Sequence, residues 1–210
     1  MAGSSIAPGA ANSARLGSPE ASKRRSSALR TKGRATISNP ASMVTLTTGS
    51  GHSIKNFVVH KNFACHYSPV LRAAFDSNFI EGQTQVYHFQ DTEETVVILL
   101  VNWLYSQSLV VKSLKSRKSN DTDDMKLFRL WVLADRLLIP RLQNAVMSKL
   151  YKMEEIFLET IDKNNLGYIY NNTAKGGSLR QLVLQQFVLL DDPIRVFSKG
   201  TGLFPKEMLI

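Results

Sequence analysis

The residues best suited to metal or nucleophile chemistry are four histidines and one cysteine, His52, His60, Cys65, His66 and His88, and all fall before residue 90. Their spacing argues against both uses. His60, Cys65 and His66 form no C-x-x-C or H-x-x-x-H arrangement, and no second cysteine exists to complete a zinc set. Cys65 and His66 are adjacent, and neighbours in sequence do not face one another as a nucleophile and its base must. No G-x-S-x-G, Walker A loop or G-x-G-x-x-G occurs. Gly49-Ser50-Gly51 leads into a strand pattern rather than a helix, so it lacks the amide cradle that holds a phosphate. The aromatic residues sit on amphipathic faces, which makes them core rather than stacking platforms. The chain is therefore expected to hold no metal and no cofactor and not to be an enzyme. His60 is expected to be a half-buried, hydrogen-bonded histidine at a strand-to-helix junction.

Charge separates the chain into two parts. The first 42 residues carry Arg15, Lys23, Arg24, Arg25, Arg30, Lys32 and Arg34 against Glu20 alone, so they hold +6 of the net +9. They are rich in Ser, Ala, Gly and Arg, with Pro8, Pro19 and Pro40 and few large apolar side chains, too few to offset the entropy of ordering. Residues 1–42 thus read as a disordered basic tail, in which Lys23, Arg24 and Arg25 are a candidate nuclear-import cluster. Gly3, Pro8, Gly9, Gly17 and Pro19 oppose the amphipathic helix of a transit peptide, and no apolar run resembles a secretory signal. Nucleic-acid binding by the tail is the alternative of a different class; seven cations without interleaved aromatics would give only a non-specific, salt-sensitive attachment. The longest apolar run, Val96 to Val101, is far below the roughly 20 residues that span a bilayer, so no membrane partner is expected. One cysteine permits no internal disulfide, which suits an intracellular protein of the nucleus or cytoplasm.

The elements follow from periodicity. Met43 to Thr48 alternates and is β-branched, and Ile54 to Val59 resumes the pattern after Gly49-Ser50-Gly51; this predicts a hairpin with a three- to five-residue loop. A short polar segment leads to Ser68-Pro69, an N-cap hydroxyl with proline at the first helical position, and the helix that follows buries Val70, Leu71, Ala74 and Phe75. Gln85 to Phe89 reads as a third strand. Asp91, with Glu94 as its capping-box partner, is expected to open a helix from about Thr92 to Ser106 that buries Val97, Leu100, Val101 and Leu104. Lys112 to Asp124 is polar apart from Leu114 and reads as a loop. The next helix buries Leu127, Leu130, Trp131, Ala134 and Leu138; Pro140 ends it and opens another that buries Leu142, Val146 and Leu150. A further helix at Ser178 to Leu190 places Leu179, Leu182, Val183 and Phe187 on one face. The pattern as a whole is an α/β (α+β) domain with a small sheet and helix hairpins.

Several of these segments resemble a known family. V-H-K at Val59 to Lys61, S-P-x-L-R-A-A-F at Ser68 to Phe75 and F-x-E at Phe79 to Glu81 resemble the central motif of the BTB/POZ domain, in the version common among fungal BTB proteins. The resemblance continues in W-L-Y at Trp103 to Tyr105, L-x-V-L-A-D-R-L at Leu130 to Leu137 and I-P-x-L-Q-N at Ile139 to Asn144. The phrase Y-I-Y-N-N-T-A-K-G-G-S-L-R-Q-L, from Tyr168 to Leu182, resembles the segment that follows the domain in those relatives. The resemblance implies a BTB/POZ fold at 43–155, with a mixed sheet of about three strands and a helical extension at 156–210.

By function, the resemblance implies a protein-protein interaction module that homodimerises and recruits protein partners. His60, Lys61, Arg72, Phe79 and Glu81 are then the candidate partner-binding residues. Within the family the alternatives are an adaptor that docks a cullin scaffold for ubiquitin transfer and a nuclear, transcription-linked scaffold. Two departures bear on them. Many BTB transcription factors pair an acidic residue before the first core strand with the base that follows the motif histidine, and here Lys61 has Met43 in the acid's place. Cullin-binding members often carry an apolar-x-Glu motif after the W-L-Y helix, where this chain reads S-Q-S-L-V-V-K without Glu. The chain ends at Ile210 in what reads as the interior of a segment, as a shortened gene product would.

Overall fold

The alternating residues around the Gly49 turn build a hairpin of β1 (Met43–Thr48) and β2 (Lys55–His60), antiparallel with Val44 opposite Val59 and Leu46 opposite Phe57. The computed structural model describes residues 1, 3, 33–110, 123–157, 165–190, 205 and 207, with the backbone alone at 123, 153–157 and 187–190. Two units are distinguished, Met1–Gly33 and Arg34–Ile210, and the sheet and all the helices described belong to the second. The connection between β1 and β2 is six residues long, one more than the loop expected. Gly51–Ser53 forms a 3₁₀ turn there, which takes up Ile54 and delays β2 to Lys55. Gly49 has φ +86°, and a Cβ there would lie 2.4 Å from the Ser53 carbonyl oxygen, so only glycine fits the turn.

The chain then enters α1 (Lys61–Tyr67), α2 (Pro69–Phe75) and α3 (Ile80–Thr84) before returning as β3 (Val86–Phe89). β3 lies parallel to β1, with Thr45 opposite Val86, so the sheet order is β2-β1-β3 and the sheet is mixed. The segment expected as a polar connection before Ser68 is therefore helical. Its Phe63, Ala64 and Tyr67 are buried, a face too short to stand out against Lys61, Asn62 and His66. Ser68 caps α2 as expected: its Oγ accepts from the Leu71 amide at 3.0 Å.

α4 (Glu94–Ser106) buries Val96, Val97, Leu100, Trp103 and Leu104 under the sheet. Asp91 does not cap it. Asp91 has φ +52° and turns the chain after β3, Glu93 holds the cap position, and the helix opens two residues later than expected. The acid-Gly-like turn and the helix cap compete for the same residue type, and the turn prevails here. α5 (Asp123–Arg136) is buried almost all round over Leu127, Phe128 and Leu130 to Ala134, as a helix between neighbours must be. α6 (Pro140–Phe157) packs back on it through Leu142, Val146 and Leu150.

The α5–α6 corner corrects a second expectation. Leu138, assigned to the buried stripe, is 59% exposed with φ +53°. Its amide bonds to the Asp135 carbonyl at 3.0 Å and the Ile139 amide to that of Ala134 at 2.8 Å, the pattern of a Schellman cap with leucine where glycine is usual. Periodicity counts on one residue past the point where the cap reverses the chain, so Leu137 and Ile139 take the burial assigned to Leu138. α7 (Leu166–Asn172) and α8 (Ser178–Leu190) add Leu166, Ile169, Leu179, Leu182 and Val183 to the same core. Arg180 fastens the pair, donating from Nη2 to the Tyr170 carbonyl at 2.6 Å and from Nε to Thr173 Oγ1 at 2.9 Å, with its guanidinium 4.7 Å from the Tyr170 ring. The Phe187 side chain and the 112–122 part of the polar loop lie outside the described residues.

Two outcomes are expected. Ser68→Ala removes the cap and leaves the buried Leu137 carbonyl, which Ser68 Oγ also serves at 2.7 Å, without its donor; a denaturant titration should show a loss of about 2–3 kcal/mol. Leu138→Gly relieves the left-handed backbone at a side chain already in solvent, and the same titration should show a gain of about 0.5–1 kcal/mol.

Candidate interaction surface

The central motif is held together by its own polar residues. His60 ends β2 half-buried, and Tyr105 at the end of α4 meets it twice: the Tyr105 hydroxyl accepts from the His60 amide at 3.0 Å and lies 2.9 Å from His60 Nδ1. A hydroxyl can donate once and accept as well, so it serves the amide and the ring together, with the direction of the second bond set by the His60 tautomer. Phe63 stacks in this cluster, its ring centroid 4.7 Å from that of Tyr105. His60 is thus the hydrogen-bonded junction histidine expected of it.

Lys61 reaches from the first turn of α1 to the far end of α2. Its Nζ donates to the Phe75 carbonyl at 3.0 Å and pairs with Asp76 at 2.9 Å. Gln85 Nε2 donates to the same carbonyl at 3.0 Å and to that of Gly82 at 2.6 Å, which ties the end of α2 to the start of β3. Arg72 acts likewise on the end of α1, donating from Nη2 to the Cys65 carbonyl at 2.6 Å. Both cations sit where helix carbonyls are unpaired and the dipole is negative. Cys65 lies beneath them, and burial pushes its thiol up, the Asp76 carboxylate adding to the effect. A thiol so placed stays protonated and unreactive. Among the described residues no cluster of three His, Cys, Asp or Glu could hold a metal.

The structure therefore divides the five candidates. His60, Lys61 and Arg72 are spent on internal bonds, while Phe79 at the start of α3 is 77% exposed and Glu81 two residues on is half-buried. Ile80, which motif reasoning passed over, stands beside Phe79 at 64% exposed. The outer face of the sheet is a second apolar area that was missed: Val58 and Val86 flank Thr45 across the three strands, with Met43 above them, and all three apolar residues are exposed. Alternation could have found it, since of two adjacent strand valines, Val58 and Val59, one must point outward. Lys23, Arg24 and Arg25 lie outside the described residues.

Composition placed residues 34–36 in the tail, yet they are bound to this region. Arg34 Nη2 donates to the Ser106 carbonyl at 2.8 Å, the Ala35 amide to Tyr67 Oη at 2.9 Å, and Asn62 Nδ2 to the Thr36 carbonyl. These are main-chain and end-group contacts, which leave no hydrophobic period to read. Among the described residues no helix is long and apolar enough to cross a membrane.

No curated protein matches the chain. The solved BTB domain of zebrafish PATZ1 is 15% identical, in an alignment covering 52% of this chain and 75% of that one at a TM-score of 0.37. The family model of the BTB/POZ domain matches residues 41–154, more than half of the chain and the whole span from β1 into α6. A three-stranded mixed sheet with helix hairpins, carrying the central motif and matched by the family model over its length, makes this chain a member of the BTB/POZ family, whose domain is a protein-protein interaction module.

Proposed function

We propose that this chain works by binding proteins, itself included, through the face beside the central motif, and carries out no reaction of its own. The observation that carries the reading is the division within the motif: its cations are used up in holding helix ends, while Phe79 and Ile80 project into solvent side by side. Two adjacent large apolar side chains on a five-residue helix contribute nothing to the core and favour a partner that covers them. A two-fold contact would bury the same pair twice. The 43–155 segment is the module in this reading, with 156–210 as a helical buttress and 1–42 as a basic tail whose Lys23, Arg24 and Arg25 direct nuclear import. Docking to a cullin scaffold is the weaker reading, since the stretch after α4 lacks the Glu of the family's motif.

Sedimentation of the full chain at tens of micromolar should give a dimer, and Phe79→Asp with Ile80→Asp should convert it to a monomer that keeps the circular-dichroism spectrum of the folded chain and whose melting temperature no longer rises with concentration. A wild-type monomer at that concentration would reject self-association. Separately, the triple change Lys23→Ala, Arg24→Ala, Arg25→Ala should abolish nuclear accumulation of a fluorescent fusion while thermal unfolding stays unchanged; an unaltered distribution would remove the import role.

A further inference from the structure

The two edges of the sheet are treated differently. Along β2 the edge is covered by α4: Tyr105 Oη takes the His60 amide at one end, and Glu94 lies 3.8 Å from Lys55 at the other. Along β3 no described residue plays that part. The Thr45 amide bonds to the Gln85 carbonyl at 2.9 Å, and with Thr45 opposite Val86 this phase turns the amides and carbonyls of Tyr87 and Phe89 towards β1. Those of Val86 and His88 therefore point away from the sheet, and both residues are exposed. Among the described residues nothing pairs with them.

A groove of about 330 Å³ runs beside this edge on the inner face of β3. Tyr87, Phe89, Leu133 and Leu137 line its apolar part, and Glu81 and Arg136 stand with them. Arg136 is exposed and makes no ion pair or hydrogen bond among the described residues. The main-chain groups call for an extended strand; the groove calls for an apolar side chain on alternate positions of it; the guanidinium calls for a carboxylate next to that side chain.

We propose that the edge of β3 is a strand-addition site, which takes an extended peptide of a partner protein carrying an apolar residue beside an acidic one. The proposal rests on the interaction-module reading and gives it a second surface, distinct from Phe79 and Ile80.

The test is to pan a displayed library of random dodecapeptides on the full chain and measure binding of the selected peptides by fluorescence anisotropy. Selected sequences should alternate apolar residues with at least one Asp or Glu, and bound peptide should slow amide exchange at Val86 and His88. His88→Pro removes an amide that has no internal partner, at a position where an edge strand tolerates proline, and should weaken binding tenfold or more. His88→Ala keeps the amide and should bind as wild type, and Arg136→Glu should weaken the acidic peptides about tenfold. If His88→Pro fails to fold, the exchange pattern of the wild-type chain decides. Failure to enrich any peptide, equal binding by a folded His88→Pro, or concentration-dependent protection of Val86 and His88 without peptide, the mark of a second copy on the edge, would each overturn the proposal. A chain that dimerises through Phe79 and Ile80 yet binds no peptide would overturn this site alone and leave the interaction-module reading standing.

Discussion

One buried hydroxyl joins the two halves of the domain. Ser68 is fully buried, and its single oxygen accepts from the Leu71 amide at the start of α2 while donating to the Leu137 carbonyl at the end of α5. Each of those groups is an orphan of a helix end, out of reach of water, and each would be costly if left unpaired. Because one atom serves both, the position of α2 fixes the corner where α5 turns into α6, 69 residues along the chain. The Schellman cap at Leu138 and Pro140 at the head of α6 complete that corner, and the packing of α5 between α4 and α6 depends on it.

The same economy governs the motif that precedes it. Lys61, Arg72 and Gln85 each reach the carbonyl end of a short helix, where too few residues exist for the helix to be stable by itself. Helices of five to seven residues persist here because side chains from neighbouring elements satisfy their ends and because Phe63, Leu71 and Phe75 bury against the sheet. The polar residues of the motif thus do structural duty, while the apolar Phe79 and Ile80 beside them stay exposed. α7 and α8, beyond the 41–154 match, extend the same core rather than beginning another. They bring Tyr168 to α5, its ring 5.9 Å from the Arg129 guanidinium, and Arg180 holds their hairpin closed.

The sequence by itself determined most of the core, the family and most of the element types, though not α1. Ser68-Pro69, the apolar stripes of α4, α5 and α6, and the strand alternation are local signals, readable because a helix repeats every 3.6 residues and a strand every two. It also placed His60 at a hydrogen-bonded junction. Only the tertiary structure decided what depends on contacts between distant residues: that β3 lies parallel to β1, that Lys61 and Arg72 are spent on helix ends, and that Asp91 turns the chain instead of capping α4. Leu138 shows the limit most plainly. Its spacing is that of a buried residue, but a cap closed by Asp135 and Ala134 reverses the backbone at that point, and periodicity holds no information about where a helix stops.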